Sequence, residues 1–317
     1  MIKTVYDRIT QLVRVLFRGI GQVIFQNNAL SGALMLAGIF CNSYVMGLFA
    51  LSGTIVSTLT ARLLKYDEDQ IQAGLYGFNG TLVGIAVPCF LSVNGWSVML
   101  LIIASGASAW VAHVFGKQKL LPGLTAPFVV ITWGMLLLSM IFPELQIGEN
   151  ATQINNSAFA LLKVSPLVKA FSLGFGQIML QGNSIITGLL FVLAIAVNVP
   201  KMVLRAALAC ALSLPLVWLP FVGQEPVYNG LFGYNAILAF LAITDIVSTT
   251  SFKYVKALAA WVLSFILQYV GLRLGITTLT APFVLAVWLV VLYDKAMAKA
   301  IIHKSIMKDA TEPNQAY

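Results

Sequence analysis

The sequence predicts an all-α membrane protein of about ten transmembrane helices arranged as two inverted repeats, and three observations predict it. Hydrophobic residues make up 59% of the chain and charged residues 9%, with a mean hydropathy of +0.90, whereas soluble domains carry about a quarter charged residues. Basic residues collect between apolar stretches, on alternate sides of them. Three motifs occur twice, at nearly one spacing.

A membrane span needs roughly 20 apolar residues. Stretches of that kind begin near residues 20, 43, 74, 96 and 120, and again near 176, 202, 229, 254 and 275. Their length and short polar interruptions indicate a helical bundle rather than an outer-membrane barrel, whose strands are about half as long. The opening MIKTVYDRITQLVRVLFRG has basic residues throughout and no apolar core with a small-residue cleavage site. It reads as an interfacial amphipathic segment, not a cleaved signal.

The charge distribution sets the topology. With a cytoplasmic N-terminus, 16 of the 19 Lys and Arg residues fall in inside loops, and only Lys163, Lys169 and Arg273 fall outside. That bias places both termini in the cytoplasm after an even number of crossings. The formal net charge of +8 is therefore topological information and predicts no nucleic-acid partner; the lipid bilayer is the expected surrounding.

The motifs show a duplication. GLYGFNGTL from Gly74 matches GLFGYNAIL from Gly230 at an offset of 156, while GQVIFQNN from Gly21 matches GQIMLQGN from Gly176, and LTAPFVVITW from Leu124 matches LTAPFVLAVW from Leu279, both at 155. Three separate motifs at almost one spacing divide the chain into two homologous halves, residues 1–150 and 151–317. Five spans per half is an odd number, so the second half must enter the membrane from the opposite side, about a pseudo-two-fold axis in the membrane plane. The polar stretch 143–157, PELQIGENATQINNS, reads as the extracytoplasmic linker.

Glycine clusters within spans mark close backbone approach or broken helices, and irregular backbone persists in a membrane only when buried or lining a polar cavity. The duplicated Gly-aromatic-Asn motifs therefore predict broken helices around a central pathway. The proline of each LTAPF removes a backbone donor and is expected to leave a carbonyl unpaired, with the preceding threonine able to donate or accept. Gln22 and Gln177 head their halves and add an amide each.

Other chemistry is thinly represented. Cys41, Cys89 and Cys210 lie in apolar spans, with neither the count nor the spacing of a disulfide framework or metal site. His113 and His303 are isolated, which argues against metal-dependent or nucleophilic catalysis. No cofactor is expected, and no enzymatic activity. Asp245 is the main ionisable residue inside a span, and Cys89 stands at its position in the first half. A proton- or sodium-coupled carrier usually exposes an intramembrane carboxylate on its route, and an ion channel needs rings of charge or four filter strands. The expected solute is neutral and the transport passive; the alternative is an ion-coupled secondary transporter.

The LPGLTAPF and TTLTAPF blocks, the QVIFQNN head and the GLYGFNG and GLFGYNA pair resemble the urea transporter family of bacteria and animals, over nearly the whole chain. The resemblance implies ten spans plus two re-entrant half-helices, a homotrimer with one pore per protomer, and a location in the bacterial inner membrane. It places Gln22 and Gln177 beside a ladder of oxygens along the pore, and Thr125 and Thr280 at its centre. Phe25 with Phe78 would form one slot for a flat solute, Leu180 with Tyr234 the other, and Leu82 and Leu238 would hold the slots apart. Urea, which is flat and neutral with four N–H donors and one carbonyl, suits acceptors in a row and two gripping faces. Short amides or ammonia are the alternative solutes. The second half departs from the pattern in having Ile276-Thr277 where the first has Leu121-Pro122, and one extra residue near Asn183.

Overall fold

The computed structural model describes residues 2–118, 120–146, 164–247 and 252–311. Among these, fourteen α-helices and no strand are present, and with its apolar spans the chain is an all-α, multi-pass membrane protein. The first seven helices are α1 (Ile2–Gln22), α2 (Ala29–Asn42), α3 (Tyr44–Leu63), α4 (Glu68–Gln72), α5 (Gly77–Phe90), α6 (Gly95–Lys117) and α7 (Ala126–Ile141). The next seven are α8 (Pro166–Gly176), α9 (Ile185–Asn198), α10 (Pro200–Ala211), α11 (Gln224–Tyr228), α12 (Gly233–Leu241), α13 (Lys253–Arg273) and α14 (Ala281–Thr311). From α2 to α5, each helix begins 156 residues before its counterpart among α9 to α12.

Five helical stretches are long and apolar enough to cross a membrane: Tyr44–Leu63, Gly95–Lys117, Pro200–Trp218, Lys253–Arg273 and Ala281–Ile301. Five further apolar helices are shorter, among them α2, α5 and α9 with 14 residues each. At 1.5 Å per residue these three extend about 21 Å, less than the hydrocarbon thickness of about 30 Å. The stretches expected from about residues 20, 120, 176 and 275 start later as helices, at Ala29, Ala126, Ile185 and Ala281. The reason is local: the motif residues between them form turns.

Those turns are built alike in both halves. Phe25 and Leu180 take left-handed backbone, with φ of 58° and 59°, as do Leu124 and Leu279 at 47° and 51°, conformations that cost an L side chain energy and mark forced turns. The chain then re-enters a helix through a side-chain cap, as Asn28 accepts from Ser31 N (3.0 Å) and Ser184 from Thr187 N (3.2 Å). Gly74 and Gly230 are left-handed as well, with φ of 79° and 74°, and a Cβ there would lie 2.4 Å from Gly19 N and 2.5 Å from Gly174 N. Only glycine meets both demands.

Pro127 and Pro282 correct one expectation. Each sits in the first turn of its helix, α7 or α14, where the missing N–H would have had no intrahelical partner. The proline itself therefore strips no carbonyl of a donor.

The halves meet through reciprocal bonds. Ser31 Oγ donates to the Ala194 carbonyl and Thr187 Oγ1 to the Gly38 carbonyl, both at 2.7 Å, so α2 and α9 grip each other twice. Trp133 Nε1 donates to the Thr277 carbonyl and Trp288 Nε1 to the Pro122 carbonyl, both at 2.8 Å. Asn42 donates to Gln181 Oε1 (2.8 Å) and Asn198 to Gln26 Oε1 (3.0 Å). In each pair, the residue and its counterpart exchange roles, the pattern of an isologous two-fold contact.

Asp245 is compensated: Arg205 Nε lies 3.0 Å from its Oδ2, and Thr244 Oγ1 donates to the same oxygen at 2.6 Å. Asp245 is exposed, so the pair is a partnered surface carboxylate rather than a bare charge in the core. The polar stretch 143–157 is described as far as Gln146; Asn155, Ser157 and Lys163 lie outside the described residues.

Candidate functional site

The Gly-aromatic-Asn motif solves a main-chain problem at the start of α7 and α14. Where a continuing helix would pair Phe128 N–H with the Leu124 carbonyl, the Asn79 amide from α5 is inserted instead: its Oδ1 accepts from Phe128 N at 3.1 Å and its Nδ2 reaches the Leu124 carbonyl at 3.4 Å. Asn235 from α12 does the same for Phe283 N (3.2 Å) and the Leu279 carbonyl (3.2 Å). Each amide satisfies groups that a broken helix would otherwise bury unpaired, and so lets the chain turn at Leu124 and Leu279.

The broken end before α7 borders a cavity of about 470 Å³ in the first half. Gln22, Phe25, Phe78 and Thr125 all line it, along with Leu124, Asn79 and Gly123, so the structure brings four of the expected site residues to one space. Gln22 spends its amide nitrogen on the Ala73 carbonyl at 2.8 Å, and Gln177 spends its own on Asn229 at 3.0 Å. Phe25 and Phe78 share the cavity wall, but the ring packed edge-on to Phe25 is Phe283, at 6.2 Å between centroids. No lining side chain carries a formal charge.

Thr125 Oγ1 and Thr280 Oγ1 lie 2.6 Å apart, buried at 4% and 3% exposure. This contact ties the two LTAPF motifs together beside the cavity that Thr125 lines. Leu82 and Leu238 are both fully buried in the core, and neither lines the cavity.

The second-half residues are arranged differently. Leu180 and Gln177 are half-buried and Tyr234 is buried; none of the three lines the first-half cavity. The Tyr234 hydroxyl donates to the Leu279 carbonyl at 2.6 Å, and Gln268 and Thr278 gather round it. Sequence reasoning passed over these last two, although a lone glutamine in WVLSFILQYVGL is a polar signal in an apolar span. His113, expected to be isolated, stacks on Tyr66 with centroids 3.7 Å apart and lies 3.3 Å from the Tyr76 hydroxyl. Tyr76 lines the cavity.

The arrangement can strip water from a small uncharged molecule and repay it with carbonyl, amide and hydroxyl oxygens against apolar walls. Comparison with known proteins agrees with this chemistry. Residues 13–295 match the family described as "Urea transporter". The chain is 33% identical to rat urea transporter 1 over 248 residues, covering 74% of this chain and 63% of the rat protein. It is 30% identical to the sheep urea transporter 1 over 298 residues, covering 89% of this chain and 77% of the relative. The match thus spans less than two thirds of the rat protein's length. A family match over residues 13–295 shows that the chain, whose two LTAPF blocks meet at Thr125 and Thr280, belongs to the urea transporter family.

Proposed function

We propose that the chain is a passive, channel-like path for urea across the membrane, running between two inverted repeats. The observation that carries the reading is the cavity without a charged lining side chain that Thr125 reaches, its hydroxyl meeting that of Thr280 where the halves join. Its lining combines two aromatic residues, Phe25 and Phe78, with the polar residues Gln22, Asn79 and Thr125, and this suits a flat solute rich in N–H donors. The relatives' printed names point to the same solute. Several modest sites in series favour rapid passage over trapping.

The reciprocal bonds between the halves support the inverted-repeat reading for residues 1–150 and 151–317, and the basic-residue bias supports cytoplasmic termini. The homotrimer, the re-entrant half-helices and the bacterial inner membrane rest on the family resemblance. The pairing of Asp245 with Arg205 supports passive rather than coupled transport, because the carboxylate already has a fixed counter-ion. Short amides are a second reading, since they offer the same donor and acceptor in a similar volume.

The test is flux into proteoliposomes by stopped-flow light scattering. Urea flux should follow its own gradient and ignore imposed proton or sodium gradients; accumulation of urea above the external concentration, abolished by an uncoupler, would refute the channel. Phe78→Ala should lower the urea-to-acetamide flux ratio per folded protein, and an unchanged ratio would remove Phe78 from the path.

A further inference from the structure

The first-half cavity has an exposed rim and a buried floor. Among its lining residues Gln70, Leu75, Gly116 and Ile246 are exposed, whereas Asn79, Thr125 and Pro127 are buried. Of the described residues, Ile246 alone comes to this lining from the second half. It sits on the rim and is 47% exposed.

The backbone that presents Ile246 is built differently from its counterpart. α5 runs as one helix from Gly77 to Phe90. α12 instead stops at Leu241 and continues as a π turn, Ala242–Ile246, closed by Val247 N donating to the Ala242 carbonyl at 2.7 Å. A π turn takes one residue more per hydrogen bond than an α turn, so the side chains at its end point in new directions, and such turns are frequent at functional sites.

The residue before Ile246 is charged. Asp245 lies at the C-terminal end of a helical segment, where the helix dipole disfavours a carboxylate, so the segment itself gains nothing from it. Its partner is Arg205 on α10: Nε lies 3.0 Å from Oδ2, and Nη2 donates to Oδ1. A two-pronged contact between planar groups fixes direction as well as distance. Thr244 Oγ1 donates to the same carboxylate at 2.6 Å. At the matching positions of the first half stand Phe49 for Arg205, Cys89 for Asp245 and Pro88 for Thr244. The tie and the π turn therefore occur together, in the second half alone.

We propose that Arg205 and Asp245 are positioning residues that clamp the π turn, so that Ile246 reaches across from the second half and narrows the rim through which a solute enters the cavity. This rests on the channel reading above. Ile246 restricts the entrance by its volume. It offers the solute no hydrogen bond, so it does not detain what it lets pass.

The test uses proteoliposomes containing the full chain in a cysteine-free background, with Ile246→Cys added and urea flux normalised to folded protein. Substitution at a half-exposed position leaves the fold intact. Modification by benzyl methanethiosulfonate before reconstitution, with completeness checked by mass spectrometry, adds a ring at the rim. We expect urea flux to fall by about half or more, and methyl methanethiosulfonate to reduce it less, since a constriction responds to the size of the group added. With Arg205→Gln or Asp245→Asn added, the benzyl effect should shrink; a pair that served stability alone would change the yield of folded protein and not the block. Ile246→Trp in the otherwise unaltered chain should also lower urea flux, and it gives the answer if the cysteine-free protein does not fold. Urea flux unchanged by the benzyl group or by Ile246→Trp, with wild type passing urea, overturns the rim role of Ile246. A block equally strong with and without the Arg205–Asp245 pair overturns the clamp. Wild-type protein that passes urea no faster than bare vesicles overturns the channel reading and this inference with it.

Discussion

Replacing Asn79 and Asn235 separately by alanine weighs the two inserted amides against each other. Asn79→Ala removes the acceptor of Phe128 N (3.1 Å) and the long contact to the Leu124 carbonyl (3.4 Å). Phe128 is 1% exposed, so its N–H loses a partner that water cannot replace, at a cost of about 1–3 kcal/mol. Asn235→Ala orphans Phe283 N in the same way and also removes the bonds to Leu279 and Gln268. Each of those adds about 0.5–1.5 kcal/mol, so the second variant should lose roughly 1–3 kcal/mol more than the first. For a chain of this size about 2 °C accompanies each kcal/mol. The expected falls in midpoint are then about 2–6 °C for Asn79→Ala and about 4–12 °C for Asn235→Ala. The assay is thermal unfolding in detergent, followed by loss of the monodisperse size-exclusion peak. Equal losses, or a larger loss for Asn79→Ala, would refute the claim that these side chains stand in for main-chain partners.

Thr125→Val and Thr280→Val should each destabilise the protein by leaving a buried hydroxyl unpaired, while the double variant should be less destabilised than the sum, by about 0.6 kcal/mol, the average for polar pairs within a membrane; strict additivity in the thermal-unfolding cycle would show that the 2.6 Å contact does no work between the halves. Ser157→Cys in a cysteine-free background should react with an impermeant maleimide only from outside the cell, as the basic-residue partition requires; labelling from the cytoplasm alone would overturn the inverted-repeat reading.

The duplication was legible because whole motifs recur, while the family resemblance pointed to Gln22, Phe25, Phe78 and Thr125, which line one cavity. The reciprocal amides were missed for a definable reason. Gln26, Gln181, Asn42 and Asn198 are polar residues in apolar surroundings, and their partners lie in the opposite half, so no local pattern connects them. Helix starts were misjudged where the break is made by left-handed Phe25, Leu124, Leu180 and Leu279. Phenylalanine and leucine carry no turn preference, and the conformation is imposed by tertiary contacts. The sequence shows that Tyr234 carries a hydroxyl where Phe78 has none. That the hydroxyl ends on the Leu279 carbonyl depends on how α12 packs against the start of α14.

The pairs that match between the halves and the pairs that differ do different physical jobs. Gly74 with Gly230 and Asn79 with Asn235 keep their residue types because each satisfies or admits main chain at a break, where another side chain leaves a buried group unpaired or a Cβ inside a neighbouring backbone; Thr125 and Thr280 instead satisfy each other. Phe78 and Gly123 line the first-half cavity, whereas their counterparts Tyr234 and Thr278 are buried. The polar atoms gained in the second half find partners, the Tyr234 hydroxyl on Leu279 and the Thr278 hydroxyl on Gln268, so the change leaves the turn beneath it intact. The difference between the halves is thus confined to positions where an added polar atom can be satisfied, and the two broken helices keep one common construction.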